Sequence, residues 1–562
     1  MHLGEAAPMA NLVLGPLLRY VGQTAATVWV ETDGPCEVGV LGSTTRTFAV
    51  AGHHFALVVC EGMTPGTTTP YAVTLDAVVA YPEPDSGLPA PTVRTRSEQA
   101  DAQFRLLFGS CRVTRPHEPP YTLAKGDDAV GVDALHAYAR RMLTTDPAQW
   151  PDALLLVGDQ VYADELSPET LAHIKRTRGT DEPPGEGVAN FEEYTVLYEE
   201  AWSDPMIRWV LATIPSAMVF DDHDIHDDWN TSAVWRRQMQ ETSWWRERIE
   251  GGLMSYWIYQ HLGNLSPEAL GEDEVWARLR ACSDDGTDGE TVLREHAAKA
   301  DAEAGGGKGV RWSYRRDYGD IRLLVLDSRG GRVLDTGERS MVDEAERKWI
   351  VEQTKDCASH LLIASSLPIL LPPAIHGLEA WNEAVCDGAW GERWKDWGEK
   401  IRQGADLEHW AAFRKSWDAL MGLVSDIGSG KCGPAPASIT FLSGDVHFSY
   451  LAEAEFPLAD GVTSRVHQAV CSPVRNPVNK QLQIGDRFAR TGPGRLLGRA
   501  LARSAGVPRP GVRWRLKERP RFDNEIGAIE ISGPVARFRL EKAVPGDADE
   551  SLEIVMERQL SF

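Results

Sequence analysis

The stretch from Val219 to Asn230, Val-Phe-Asp-Asp-His-Asp-Ile-His-Asp-Asp-Trp-Asn, constrains this chain more than any other. Its last ten residues hold five carboxylates and two imidazoles. Carboxylates crowded in this way repel one another and resist burial. A cation at their centre relieves both penalties. Just upstream, Ala217 to Phe220 reads as a short buried strand, so the cluster begins where a strand ends. Three more strand-like runs end in polar loops: Gly109-Ser-Cys111, Gly158-Asp-Gln-Val-Tyr162 and Gly444-Asp-Val-His447. A fold that gathers these four loops around metal ions accounts for all of them.

The chain has 562 residues, enough for more than one domain, and a formal net charge of -24. That charge opposes bulk nucleic-acid binding and anionic membranes. It leaves room for a small anionic substrate, because bound cations reverse the field locally. No apolar run reaches transmembrane length. The start, Met1 to Pro8, lacks a basic n-region, an apolar core and a twin-arginine pair, so a cytoplasmic location is expected. The eight cysteines, at 36, 60, 111, 282, 357, 386, 432 and 471, form no C-x-x-C pair. Most are expected to be buried thiols rather than a disulfide or zinc-finger framework, with Cys111 set apart.

Residues 8–98 read as an all-β domain. Met63-x-Pro65-Gly-Thr67 followed by Tyr71-x-Val73 resembles the end of a fibronectin type III or immunoglobulin-like sandwich. A scaffold role is favoured for it over a substrate-facing one. His53-His54 has no acidic companion in sequence and reads as surface. The proline-rich run from Tyr81 to Thr92 reads as a linker.

From residue 103 short apolar runs, among them Ala153 to Val157, Ile321 to Leu326 and Ile439 to Leu442, alternate with helical composition. That pattern predicts an α/β core over 99–545 whose sites lie beyond strand ends. Two tryptophan-rich insertions, 231–310 and 372–437, interrupt it. Trp245, Ile249, Leu253 and Trp257, and then Trp410, Phe413, Trp417 and Leu420, keep helical spacing. Packing is favoured for both stripes over an aromatic binding platform. Gly305 to Gly309 reads as a flexible loop, and residues 546–562 as a C-terminal strand or tail.

Taken together, the loops resemble those of dinuclear metallophosphoesterases. In their departures they resemble the PhoD-like alkaline phosphatase family, through Phe108-Gly-Ser-Cys111, Gly158-Asp-Gln-Val-Tyr-Ala-Asp164, Asp221-Asp-His-Asp224 and Ser443-Gly-Asp-Val-His-Phe-Ser449. The resemblance implies a four-layer α/β sandwich of mixed sheets. It implies hydrolysis of phosphomonoesters, phosphodiesters or both at a dinuclear site. By the same resemblance Asp159 bridges the metals. Cys111, Tyr162 and His447 hold Fe3+, and thiolate and phenolate suit that ion. Asp222 and Asp445 make a harder second site for Ca2+, and Mg2+, Mn2+ or Zn2+ are alternatives. His223 is the expected general acid, with Asp224 orienting its ring. Asn230, or Asp227 or Asp228, is a further hard ligand.

Arg112 and Arg329 are the expected phosphate-binding arginines, with Arg115, His117 and Arg475 as weaker candidates. The superfamily's usual extra histidine is not identifiable. His360 opens a strand, His376 follows two prolines, and Ser365-Ser366 stands at a strand end instead. The expected partner is a small phosphorylated molecule. Two rivals remain: a phosphodiesterase of lipid, nucleotide or cell-wall diesters, and a non-catalytic β-sandwich binding module on a degenerate core. The complete set of ligand-type residues opposes the second. No Gly-x-Ser-x-Gly elbow supports a serine hydrolase.

Overall fold

The computed structural model describes residues 9–97, 103–126, 128–306, 309–335, 337–356, 358–477, 492–545 and 550–561. The fold is mixed α/β with several mixed sheets and an all-β N-terminal region. In that region one sheet orders its strands Leu12–Val21, Ala26–Thr32, His53–Cys60, Phe48–Val50. A second orders Ser43–Arg46, Glu37–Val40, Val73–Leu75, Val78–Tyr81. Their shared core holds Leu18, Val28, Val38, Val58 and Val73. Ala26–Thr32 alternates in sequence, yet all seven of its residues are buried. Its second face is covered by a helical insertion, where Trp29 meets Tyr259 at 5.3 Å between ring centroids.

Beyond residue 103 two larger sheets dominate. One runs Ser216–Val219, Ala153–Val157, Phe104–Gly109, Glu525–Ser532, Val535–Val544, Ser551–Gln559. Its first three strands are parallel, and parallel strands buried on both faces need near-continuous apolar runs. The other runs Tyr314–Asp317, Ile321–Leu326, His360–Ser365, Ser438–Ser443, Arg465–Val470, Tyr450–Glu455, Arg513–Leu516. Alternate residues sort to different cores. Leu106, Phe108, Leu155 and Val157 meet Leu323, Val325, Leu362 and Leu442 between the sheets. Leu107, Leu154 and Leu156 face the helices of the first insertion. Leu324, Ile363 and Phe441 face Trp410, Trp417 and Leu420 of the second. Each buried Leu or Val side chain contributes about 1.5–3 kcal/mol, so this sorting fixes strand register.

The stripe Trp245, Ile249, Leu253, Trp257 is buried on the helix Trp245–Ser255 and the π-helical turn Tyr256–His261 that continues it. The second stripe is buried too, but only part of it is on one helix. Trp410 sits in the short turn Trp410–Ala412, and Phe413 precedes the helix Arg414–Gly428. Residues 307–308 of the glycine run and Cys357 lie outside the described residues. The described cysteines are all free; Cys36, Cys60, Cys111 and Cys471 are buried, and Cys282, Cys386 and Cys432 are half-buried. No helix among the described residues is long and apolar enough to cross a membrane.

Candidate metal centre

The parallel strands Phe104–Gly109, Ala153–Val157, Ser216–Val219 and Ser438–Ser443 end at the loops singled out by the sequence. The backbone there is bent into the left-handed region at residues other than glycine. Cys111 has φ 58°, Asp159 52°, Asp228 62°, Asn230 60°, Asp445 65° and His447 53°. Such conformations cost on the order of 1–3 kcal/mol each and persist where the surroundings impose them. Glycine lets the loops close up. A Cβ on Gly158 would lie 2.7 Å from Asp221 Cβ, and one on Gly444 would strike the Ser110 side chain.

The result is two ligand groups that share one residue. Cys111, Asp159 and His447 place ligand atoms within 4.8 Å of one another, and so do Asp159, Asp221, Asp222 and Asp445. A third group, Asp222, His223 and Asp227, adjoins them. Cys111 Sγ lies 3.2 Å from Asp159 Oδ2 and 3.2 Å from Ser472 Oγ. Tyr162 packs against Cys111, and its hydroxyl accepts from Asn476 Nδ2 at 3.1 Å. Asn230 donates from Nδ2 to the Arg329 carbonyl at 3.2 Å, and its Oδ1 is buried with no hydrogen-bond partner.

Asp224 does a different job from the one expected. Its carboxylate accepts backbone N–H groups from Asp159 (2.9 Å), Gln160 (3.0 Å), Val161 (3.2 Å) and Asp221 (2.9 Å), and the Gln260 side chain at 3.0 Å. It fastens the Gly158 loop to the Asp221 loop and does not orient His223. The acids near the His223 ring are Asp164, 4.0 Å from Nδ1, and Asp227, 3.8 Å from Nε2. Burial pulls His223 down, but Asp222, Asp159, Asp227 and Asp164 outweigh it and raise it to about 10. Burial lowers His447 to about 4, which leaves that imidazole neutral and able to ligate.

Arg329 also differs from expectation. Its guanidinium is fully buried among acids. Nε donates to Asp221 Oδ1, Nη1 lies 2.6 Å from Glu408 Oε1, and Nη2 lies 3.0 Å from Asp222 Oδ1 without hydrogen-bond alignment. It is an internal counter-charge for the acids. Arg112 is paired internally as well. Nε donates to Asp133 Oδ2 at 2.7 Å and Nη1 to the Ala201 carbonyl at 2.8 Å. The physical reason is Asp133, a fully buried carboxylate that caps the helix Ala134–Met142 and needs a cation beside it. Of the weaker candidates, Arg475 is tied to the carbonyls of Gly131, Arg115 and Pro116, and His117 stacks on His136 at 4.0 Å.

The sequence reading missed His409 and Glu408. His409 Nε2 lies 3.0 Å from Asp445 Oδ2, and Nδ1 lies 2.7 Å from Glu379 Oε1. It brings to the final loop the imidazole that His360 and His376 do not. His360 bonds Ser438 and the Gly533 carbonyl, and His376 is packed between Trp417 and Trp514. The only signal was a charged pair, Glu408-His409, within a tryptophan-rich insertion.

This donor set fits multivalent cations. Asp159 Oδ1 and Asp221 Oδ2 are buried without a hydrogen-bond partner, and buried acceptors rarely stay so. Burial, then neighbouring acids, push Asp159 well above the ordinary carboxylate range, and burial with Asp159 and Asp445 does the same to the Cys111 thiol. A cation between them removes both penalties.

Residues 9–93 match the family model described as a domain of unknown function (DUF7800). No curated protein matches the chain. Among solved structures the chain is similar to one titled "Structure of PhoD", at 11% identity and a TM-score of 0.58, over 99% of this chain and 92% of that one. Residues 133–281, which include Asp159, Tyr162, Asp222 and His223, match the family model PhoD-like phosphatase. The family model thus covers about a quarter of the chain, and the solved structure shares its fold.

Proposed function

We infer that the protein is a metal-dependent hydrolase of phosphate esters with a dinuclear centre. The observation that carries this reading is the pair of ligand groups meeting at Asp159, with buried carboxylate oxygens left unpartnered in both residues Asp159 and Asp221. On this reading Cys111, Tyr162, Asp159 and His447 hold an iron ion. Asp159, Asp222, Asp445 and Asn230 hold a harder one, Ca2+ or a related cation. When bound, such cations supply Lewis-acid polarisation of the phosphoryl group and a nucleophile at neutral pH. The sorting of apolar residues into three cores agrees with a four-layer sandwich over 99–545, preceded by a β-sandwich over 8–98 that has its own core and shares a second one with the first insertion.

The chain's own groups have these roles. His223 gives its proton to the leaving oxygen, and Asp164 and Asp227 lie beside its ring. Arg329 pairs with Asp221 and Glu408 and offsets part of the charge that the acids bury. Ser110 and Ser472 hydroxyls steady the Cys111 sulfur, at 3.1 and 3.2 Å. The test is metal analysis of freshly purified protein, followed by hydrolysis of mono-aryl and bis-aryl phosphates. Two cations per chain with a sulfur- or phenolate-to-iron absorption band, and release from either ester, are expected. Protein loaded with its metals that cleaves neither ester overturns the reading.

A further inference from the structure

Asp224 joins the two principal loops, and Asp224 is itself steadied by Gln260. Gln260 lies on the turn Tyr256–His261, is fully buried, and shares its Nε2 between Asp224 Oδ1 (3.0 Å) and the Tyr198 hydroxyl (2.9 Å). The end of a helix leaves carbonyls without intrahelical partners. Here the N-terminal sheet supplies the partners. Arg19, on the strand Leu12–Val21, is fully buried and donates to the carbonyls of Tyr259 and Gln260, both at 2.7 Å. It also reaches Asn264 Oδ1 at 3.3 Å. From the next strand Glu31 accepts the Tyr259 hydroxyl at 2.8 Å. Gly263 makes room for this arrangement, because a Cβ there would meet the Arg19 guanidinium.

We propose that the N-terminal β region is a positioning element of the metal centre. Arg19 and Glu31 fix Tyr259 and Gln260, Gln260 fixes the Asp224 carboxylate, and Asp224 holds the Asp159 loop in register with the Asp221–His223 loop. This gives a role to the segment matched to a domain of unknown function. It rests on the reading that these loops bind cations. Arg19 and Gln260 touch no ligand atom, so they act through Asp224 and are positioning residues.

The test uses the full chain with Gln260→Met, which keeps volume and removes the bond, and with Arg19→Met. Tyr71→Phe is the control. It removes another bond from the N-terminal region, to the Ala212 carbonyl at 2.6 Å, that does not lead to Asp224. Two readouts are taken. In metal-free protein, amide hydrogen exchange over 158–161 and 221–224 is expected to quicken at least about tenfold in Gln260→Met and Arg19→Met, and not in Tyr71→Phe. With Mn2+ or Ca2+ alone, titrated against a chelator, affinity is expected to fall roughly 10–100-fold in the same two variants, with saturating metal restoring full occupancy. Exchange unchanged in Gln260→Met overturns the proposal even if Arg19→Met does not fold. A wild-type protein that binds no cation sinks the metal reading instead, and the exchange result still decides the positioning role.

Discussion

Two regions of this molecule bury acids, and they treat them in opposite ways. At the seam between the N-terminal sheet and the first insertion, Glu31 is 2% exposed and both of its oxygens are taken, by His53 Nδ1 at 3.0 Å and the Tyr259 hydroxyl at 2.8 Å. In the loop cluster Asp159 is 1% exposed, and its Oδ1 has no partner. Burial is equal and satisfaction is not. A buried carboxylate with its lone pairs filled holds a fold together. One left short, beside other acids, has a place for a cation.

The sharpest way to break that contrast is to neutralise one acid in each region. Asp159→Asn removes the residue common to both ligand groups. Bound metal, read by elemental analysis, is expected to fall by at least one ion per chain. Hydrolysis is expected to fall roughly a thousandfold or more, several kcal/mol of barrier. The same variant without metal is expected to be no less stable in urea, since it relieves repulsion. Glu31→Gln is expected to act chiefly on the fold: a lower urea midpoint, with the full metal count recovered at saturating metal. Equal metal content in wild type and Asp159→Asn would end the comparison.

Arg112 sharpens it next. The Arg112–Asp133 pair is satisfied like Glu31, although Arg112 follows a cluster residue directly in sequence. Arg112→Met leaves Asp133 buried and uncompensated, which is expected to cost about 3–5 kcal/mol of unfolding free energy. Metal affinity of the folded fraction is expected to stay within twofold of wild type. A variant of normal stability that binds phosphate poorly would return Arg112 to the site. Cys111→Ser comes third. It replaces a soft donor by a hard one while keeping size. Loss of the visible band and a fall in activity of roughly 10–100-fold are expected, with the harder cation retained.

These outcomes also bear on what the sequence could tell. Cys111, Asp159, Asp222, His223, Asp445 and His447 were legible because each stands just past a buried apolar run, and two facing sheets carry such strand ends to one side of the fold. The strands themselves were legible for the same reason. Side-chain direction was not. Arg112 and Asp224 sit beside cluster residues but answer to Asp133 and to backbone N–H groups, and sequence neighbours do not reveal that. Nor were Gln260, Glu408 and His409 legible. They reach the loops only through the way two insertions pack, and contacts over such separations leave no spacing to read.

The smallest expected effect falls on the satisfied side. His53 reads as a surface residue in sequence, because its partners lie 22 and 139 residues away. In the structure its ring bridges Glu31 and Glu192, at 3.0 and 2.8 Å. The bond to Glu31, against the pull of burial, raises it from the ordinary 6.5 to about 9. The folded state therefore holds a proton that the unfolded chain gives up earlier. That contribution is complete below pH 6.5 and is lost as pH rises through about 9. Glu192 is largely exposed, so solvent screening reduces the gain to about 1 kcal/mol. Urea midpoints from pH 6 to 10 should show wild type losing that much more stability than His53→Gln. Parallel curves for the two proteins would mean that Glu31 is as short of partners as Asp159, and the contrast between the two regions would fail at its satisfied end.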